Sequence, residues 1–294
     1  MTIRWGVSPI AWSNDDMPDL GGDTPLDDIF RDIREVGFEG VELGGRFPKE
    51  PGALKAALGG LDLIGGWYSG SLLVQDADAE IAALQPHLSL LKAMGSNVFV
   101  FAETSNAVHG NRAVPLTGAP RLEAADWPTF GARLTTVADY LAGEGFKFAY
   151  HHHLGTVVET GPDVDAFIAN TGPSVGLTLD TGHATLGGVN SLAIIRDHPE
   201  RVVHVHCKDV RWDTFKAEKG AGSSFLDGVL AGMFTVPGDG GLNYADVMVA
   251  LKAMNYSGWI VIEAEQDPAK ADPRTYADLG LRTLKARAAE AGLV

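Results

Sequence analysis

Two carboxylates follow an unbroken apolar run in Gly258-Trp-Ile-Val-Ile-Glu-Ala-Glu-Gln266. Side chains alternate along an extended chain, so Glu263 and Glu265 share one face. Placing both there is costly unless a metal, another cation or a substrate satisfies them. Three other apolar runs end in similar groups. Val175 to Asp180 ends in a carboxylate, Val202 to Cys207 carries His204 and His206 and leads to Lys208, and Phe146 to His151 opens a run of three histidines. Alternation sorts these residues. Leu177, Leu179, Val203, Val205, Cys207, Ile260 and Ile262 are expected to face a helix layer. Thr178, Asp180, His204, His206, Lys208, Glu263 and Glu265 then face the opposite way, as do His151 and His153, with His152 turned from them.

An Asp, a Glu and two His at one end of neighbouring strands form a mixed nitrogen and oxygen donor set, suited to Mn2+, Co2+ or Zn2+. Each residue also has a plainer reading. Asp180 in Asp-Thr-Gly-His serves equally as a cap on the following loop. His206 serves as a satisfied core histidine, and the triple-His run as a polar turn, the role expected of His152. The agreement of four separate strand ends favours one ion, with His151, Asp180, His206 and Glu263 as its ligands.

Strands ending at a common place must position these groups. Apolar runs and helical patterns alternate throughout the chain. Strands are expected at 3–9, 40–43, 62–66, 97–102, 146–151, 175–180, 202–207 and from Gly258. Helices are expected at 25–35, with Thr24 as N-cap, and at 51–58, 76–94, 127–142, 162–170, 191–197, 244–254 and 273–291. This alternation predicts an α/β fold, a closed (β/α)8 TIM barrel forming one domain over 1–294, whose site lies at the C-terminal strand ends. An open doubly wound sheet wants a Gly-rich phosphate turn after its first strand, where Ser8-Pro-Ile-Ala-Trp12 stands instead. A loop of about twenty residues before Trp127 and the Gly-rich stretch Asp209 to Leu242 are long enough to act as lids or binding segments.

At 294 residues, 45% of them hydrophobic, the chain has the size and composition for such a barrel, which needs about 250 residues. No stretch approaches the roughly 20 apolar residues of a membrane span. Met-Thr-Ile-Arg-Trp leads straight into a strand, without a signal or transit pattern. Cys207 is the only cysteine, which excludes an internal disulfide and points to a reducing, cytoplasmic setting. A formal charge of −15 and the lack of basic stretches argue against a nucleic-acid partner.

The chain resembles the xylose-isomerase-like barrel superfamily of sugar isomerases and epimerases, and within it the inosose dehydratases. The resemblance covers essentially the whole length. It is carried by Gly6-Val-Ser-Pro-Ile-Ala-Trp12, Tyr150-His-His-His-Leu-Gly-Thr-Val158, Leu179-Asp-Thr-Gly-His-Ala184, His204-Val-His-Cys-Lys-Asp209 and Ile262-Glu-Ala-Glu-Gln-Asp-Pro268. It implies a metal held by Asp180, His206 and Glu263, with His151 standing where the isomerases carry Glu. Either His151 is the substitute ligand or water fills that place. Losing one negative charge there leaves a stronger electrophile, which suits a lyase.

The resemblance further implies Mn2+ or Co2+ and a glutathione requirement, with a cyclic polyol ketone losing water to give a diketone. Acid and base then come from Lys208, Glu265 and His183, unless Lys208 is merely paired with Asp209 or Glu265. Glu42, Glu103 and His153 are expected to bind substrate hydroxyls, and Trp12, Trp67 and Tyr68 to wall the ring. The rival readings are a sugar or inosose isomerase or epimerase, a metal-dependent endonuclease and a non-catalytic sugar binder. A homo-oligomer is compatible with all of them.

Overall fold

The computed structural model describes residues 2–294; Met1, part of the expected 1–294 unit, lies outside the described residues. Strand β1 (Ile3–Val7) is followed by helix α1 (Leu26–Val36), β2 (Gly40–Leu43), α2 (Pro51–Leu58) and β3 (Asp62–Gly70). Next come α3 (Ala77–Ala83), α4 (Gln85–Ala93), β4 (Val98–Glu103), α5 (Trp127–Gly143), β5 (Lys147–His151), α6 (Gly161–Asn170) and β6 (Val175–Asp180). Then follow α7 (Thr181–Leu186), α8 (Ser191–Asp197), β7 (Val202–Cys207), β8 (Asp209–Val210), α9 (Trp212–Ala221) and α10 (Phe225–Ala231). The chain finishes with β9 (Phe234–Thr235), α11 (Tyr244–Ala253), β10 (Gly258–Ile262) and α12 (Pro273–Glu290).

Eight strands close into a barrel in the order β1-β10-β7-β6-β5-β4-β3-β2, all paired in parallel, with β10 against β1 from Ile3↔Gly258 to Val7↔Ile262. The expected (β/α)8 architecture is therefore present. Between β7 and the last strand, β8 and β9 form a small antiparallel pair outside it.

The outward faces carry the large apolar residues. Phe99, Phe101, Phe148 and Tyr150 pack together beneath Phe130 and Phe167. Burying each such ring contributes on the order of 1.5–3 kcal/mol. Inside the barrel the packing is slighter: Val98, Val100 and Ala149 meet Val203. Val203 thus points inward, contrary to expectation. Leu177 pairs with Val202 while Thr178 pairs with His204, so Val203 is the extra residue of a β-bulge, which resets the alternation. Gly176 makes the room; a Cβ there would lie 2.4 Å from Val203 Cγ2.

Other differences from expectation have local causes. Pro25, not Thr24, holds the N-cap position of α1, extended at ψ 138° and without a side-chain cap, while the Thr24 carbonyl accepts from Arg46. The helix expected over 76–94 is two, because Pro86 inside it would lose a backbone hydrogen bond and clash with the preceding turn; Pro86 instead opens α4. The stretch 209–242 holds β8, α9, α10 and β9, whose Val210, Phe215, Phe225, Val229, Met233 and Phe234 form a second apolar cluster with Met17 and Leu154. This cluster roofs the C-terminal end of the barrel. No helix among the described residues is long and apolar enough to cross a membrane.

Candidate active site

His151 ends β5, Asp180 ends β6, His206 lies near the end of β7 and Glu263 follows β10 directly. One ligand atom from each lies within 4.8 Å of the others. His151 Nε2 is 3.3 Å from His206 Nδ1 and 3.6 Å from Asp180 Oδ2. Glu263 Oε2 is 2.7 Å from His206 Nδ1, off hydrogen-bond geometry. Asp180 plays both parts foreseen for it. Its Oδ1 accepts from the Gly182 and His183 amides and caps α7, while Oδ2, like Glu263 Oε2, lacks a hydrogen-bond partner although it is buried. Buried carboxylate oxygens left this way and aimed at two imidazole nitrogens suit a cation. The four side chains are able to hold a divalent metal.

Glu42 has a role that the sequence reading missed. Its Oε1 lies 2.8 Å from His204 Nε2 and 2.9 Å from His206 Nε2. An Nε2–H of His206 donated to Glu42 leaves Nδ1 bare toward the ligand group, the usual means of orienting a metal-binding imidazole. Burial alone would raise the Glu42 pKa, but His206 and His204 hold it down to about 2. Burial likewise opposes ionisation of Asp180 and Glu263, and Lys208 leads the neighbouring positive groups that hold both well below the ordinary range.

A second group adjoins the first. Lys208 Nζ donates to Glu265 Oε1 at 2.6 Å and lies 2.9 Å from His183 Nε2. The partner of Lys208 is therefore Glu265; the Asp209 carboxylate accepts instead from the amides of Val210, Gly238 and Leu242 and anchors the Gly238-Asp-Gly-Gly241 loop. Burial would lower the Lys208 pKa, but Glu263, Glu265 and Asp180 raise it above the usual lysine value. A lysine held charged in this way does not act as a base. Lys208 and His183 lie behind the cavity, whereas Glu265 and His153 are on its wall. Glu265 Oε2 has no hydrogen-bond partner.

The cavity above these groups has a volume of about 360 Å³, and Trp67 lines it, edge-on to His151 and His153 at 5.3 and 5.6 Å between centroids. Three residues expected at the substrate, Glu103 on its hydroxyls and Trp12 and Tyr68 on the wall, are elsewhere. Glu103 has the parity of Phe99 and Phe101, outside the barrel, and its carboxylate accepts from the Ser105 amide and hydroxyl and the Leu73 amide. Trp12 is in the core with its Nε1 donated to Asp32. Tyr68, the outward neighbour of Trp67, gives its hydroxyl to Glu80 and its ring to Phe99 and Phe101. His152, expected in a polar turn, is fully buried, and burial lowers its pKa to about 3, keeping it neutral.

The wall also holds Asp16, Lys49, His87 and His109, none of them singled out from sequence. Asp16 and His109 sit in irregular loops, where no periodicity marks an inward face. The only available signal is that both loops follow strands at the C-terminal end.

The chain belongs to the xylose isomerase-like TIM barrel family, whose pattern matches residues 30–287. Among curated relatives, it is 38% identical to the "Inosose dehydratase" of Lactiplantibacillus plantarum, over 96% of this chain and 95% of that one. It is 37% identical to that of Salmonella typhimurium, covering 95% and 94%. It is 45% identical to the "Rhizopine catabolism protein MocC" of Rhizobium meliloti, covering 99% and 90%. Solved structures with the same fold include an L-ribulose 3-epimerase (TM-score 0.70, 16% identity, 100% of this chain and 96% of that one). Another is 3-keto-D-glucoside 4-epimerase from E. coli (TM-score 0.66, 20% identity, 97% and 100%).

Proposed function

We propose that this chain is an inosose dehydratase, a carbon–oxygen hydro-lyase of inositol catabolism that converts 2-keto-myo-inositol to a trihydroxycyclohexane-1,2-dione. The relatives named above support the reaction. The observation that carries the chemistry is the convergence of His151, Asp180, His206 and Glu263, two of their carboxylate oxygens without hydrogen-bond partners, beneath a cavity of the size that takes small ligands.

These four residues hold the metal, and a donor set of two imidazoles and two carboxylates suits Mn2+ or Co2+. When bound, the ion supplies Lewis acidity at the substrate's ketone oxygen, worth several kcal/mol. Glu42 orients His206. Glu265, on the wall with Oε2 unpartnered, takes the proton α to the ketone. Lys208 and His183 act through Glu265 by fixing its other oxygen. Trp67 covers one face of the ring, and His153 meets its hydroxyls.

The purified protein, stripped with a chelator and reloaded with Mn2+ or Co2+, should turn 2-keto-myo-inositol into a product with diketone absorbance in the ultraviolet, assayed with and without glutathione. A new sugar without that absorbance would make the chain an isomerase or epimerase. Turnover unchanged by metal stripping would remove the four-ligand reading.

A further inference from the structure

Glu265 accounts for removal of the α-proton but leaves the second half of an elimination without a proton source, since the departing hydroxyl must be protonated. Two residues from different loops supply what is missing. Asp16 lies between β1 and α1, and His109 between β4 and α5; both line the cavity. His109 Nε2 is 4.0 Å from Asp16 Oδ1, with side-chain exposures of 14% and 31%.

Both loops are built to hold these positions. Asn14 Oδ1 accepts the amides of Asp16 and Met17 at 2.8 Å each, and Met17 is anchored in the apolar roof. The Val108 amide donates to the Gly155 carbonyl at 2.8 Å. Gly155 has φ +79°, and the space of its absent Cβ is taken by His109, whose backbone N would be 2.9 Å away. The glycine of the His-His-His-Leu-Gly motif thus lets the β4–α5 loop seat against the β5 loop. The His109 ring then lies 4.9 Å from that of His153 and within reach of Trp67 and Phe225.

Building on the dehydratase reading, we propose that His109 and Asp16 together form the proton donor to the departing hydroxyl. Glu265 takes the α-proton, and the C–H electron pair becomes the enol π system. The β C–O bond then breaks with its pair on oxygen, as the ketone re-forms and the former C–H pair becomes the Cα–Cβ double bond. The proton held by His109 and Asp16 joins the departing oxygen, water leaves, and the enol left behind tautomerises to the 1,2-dione. The proton gained by Glu265 and that lost by the pair balance through solvent. Partial burial, with Glu265 and Asp15 adding to it and Lys208 opposing, moves the Asp16 carboxyl upward, although its side chain keeps 31% exposure. Burial moves the His109 imidazole down, with Glu265 opposing and His151 adding. The two shifts move proton affinity from the imidazole toward the carboxyl, which places the transferable proton on Asp16 with His109 beside it.

The test uses the metal-loaded full chain and 2-keto-myo-inositol in D2O, following deuterium entry at the α-carbon by NMR and diketone formation by absorbance. In His109→Gln, diketone formation should fall about 10²–10⁴-fold, the usual contribution of a general acid, while deuterium still enters unreacted substrate. Asp16→Asn should show the same split, so each variant checks the other against misfolding. Undiminished diketone formation in either variant overturns the proposal, as does a parallel loss of exchange and elimination in both. A wild-type chain that forms no diketone would instead overturn the dehydratase reading on which this one is built.

Discussion

At the scale of single residues, the site is a chain of buried charges each held by its neighbours. Glu42 shows this best: it touches no ligand atom directly, yet its carboxylate meets the two histidines of β7. Sequence alternation identified His206 correctly as inward, but it could not reveal that Glu42, 164 positions away, closes on the far nitrogen of the same ring. Glu42→Gln is expected to weaken metal affinity roughly 10- to 100-fold, as loss of such a carboxylate partner does. Metal titration by calorimetry is the check, and an unchanged dissociation constant would show that His206 is oriented by packing alone. Glu103 makes the converse point. It ends a strand just as Glu263 follows one, but the parity of Phe99 and Phe101 puts it outside the barrel, where amides of Ser105 and Leu73 satisfy it.

At the scale of elements, the barrel strands were legible because their outer faces are apolar and continuous, and their ends because polar residues interrupt that continuity. What alternation could not foresee was a change of phase. The bulge at Val203 puts two consecutive residues, Val203 and His204, inside the barrel, and only the facing Gly176 hints at it. The roof was illegible for another reason: α9 and α10 are short and separated by Gly222 in a left-handed conformation, so neither sustains a helical period long enough to read. Gly155 carries the clearest consequence at this scale. Gly155→Ala puts a methyl group against the His109 backbone at φ +79°, a strain on the order of 1–3 kcal/mol. Relief by shifting the β4–α5 loop is the expected result, seen as faster proteolysis within 104–126 and lower turnover with an intact far-ultraviolet spectrum. Native proteolysis and full turnover would show that the loop is not seated by this contact.

For the molecule as a whole, the proposed metal group would be a stability term as well as a catalytic one. Several carboxylates and imidazoles crowd one end of the barrel, and an ion bound only by the folded chain stabilises it by about 2.7 kcal/mol at one hundred times its dissociation constant. For a chain of this size that corresponds to a melting temperature higher by roughly 4 °C. Calorimetric scans with a chelator and with rising Mn2+ should show a concentration-dependent increase. Identical scans would mean that the four side chains bind no ion in solution.

The seam between β1 and β10 has a further outcome during synthesis. The opening strand waits at the ribosome with one edge unpaired until residues 258–262 emerge, more than 250 positions later. Glu263 and Glu265 follow that segment directly, so the step that shuts the cylinder also completes the proposed site. A nascent or truncated chain lacking that segment is left both open-edged and short of two of the carboxylates proposed for its chemistry.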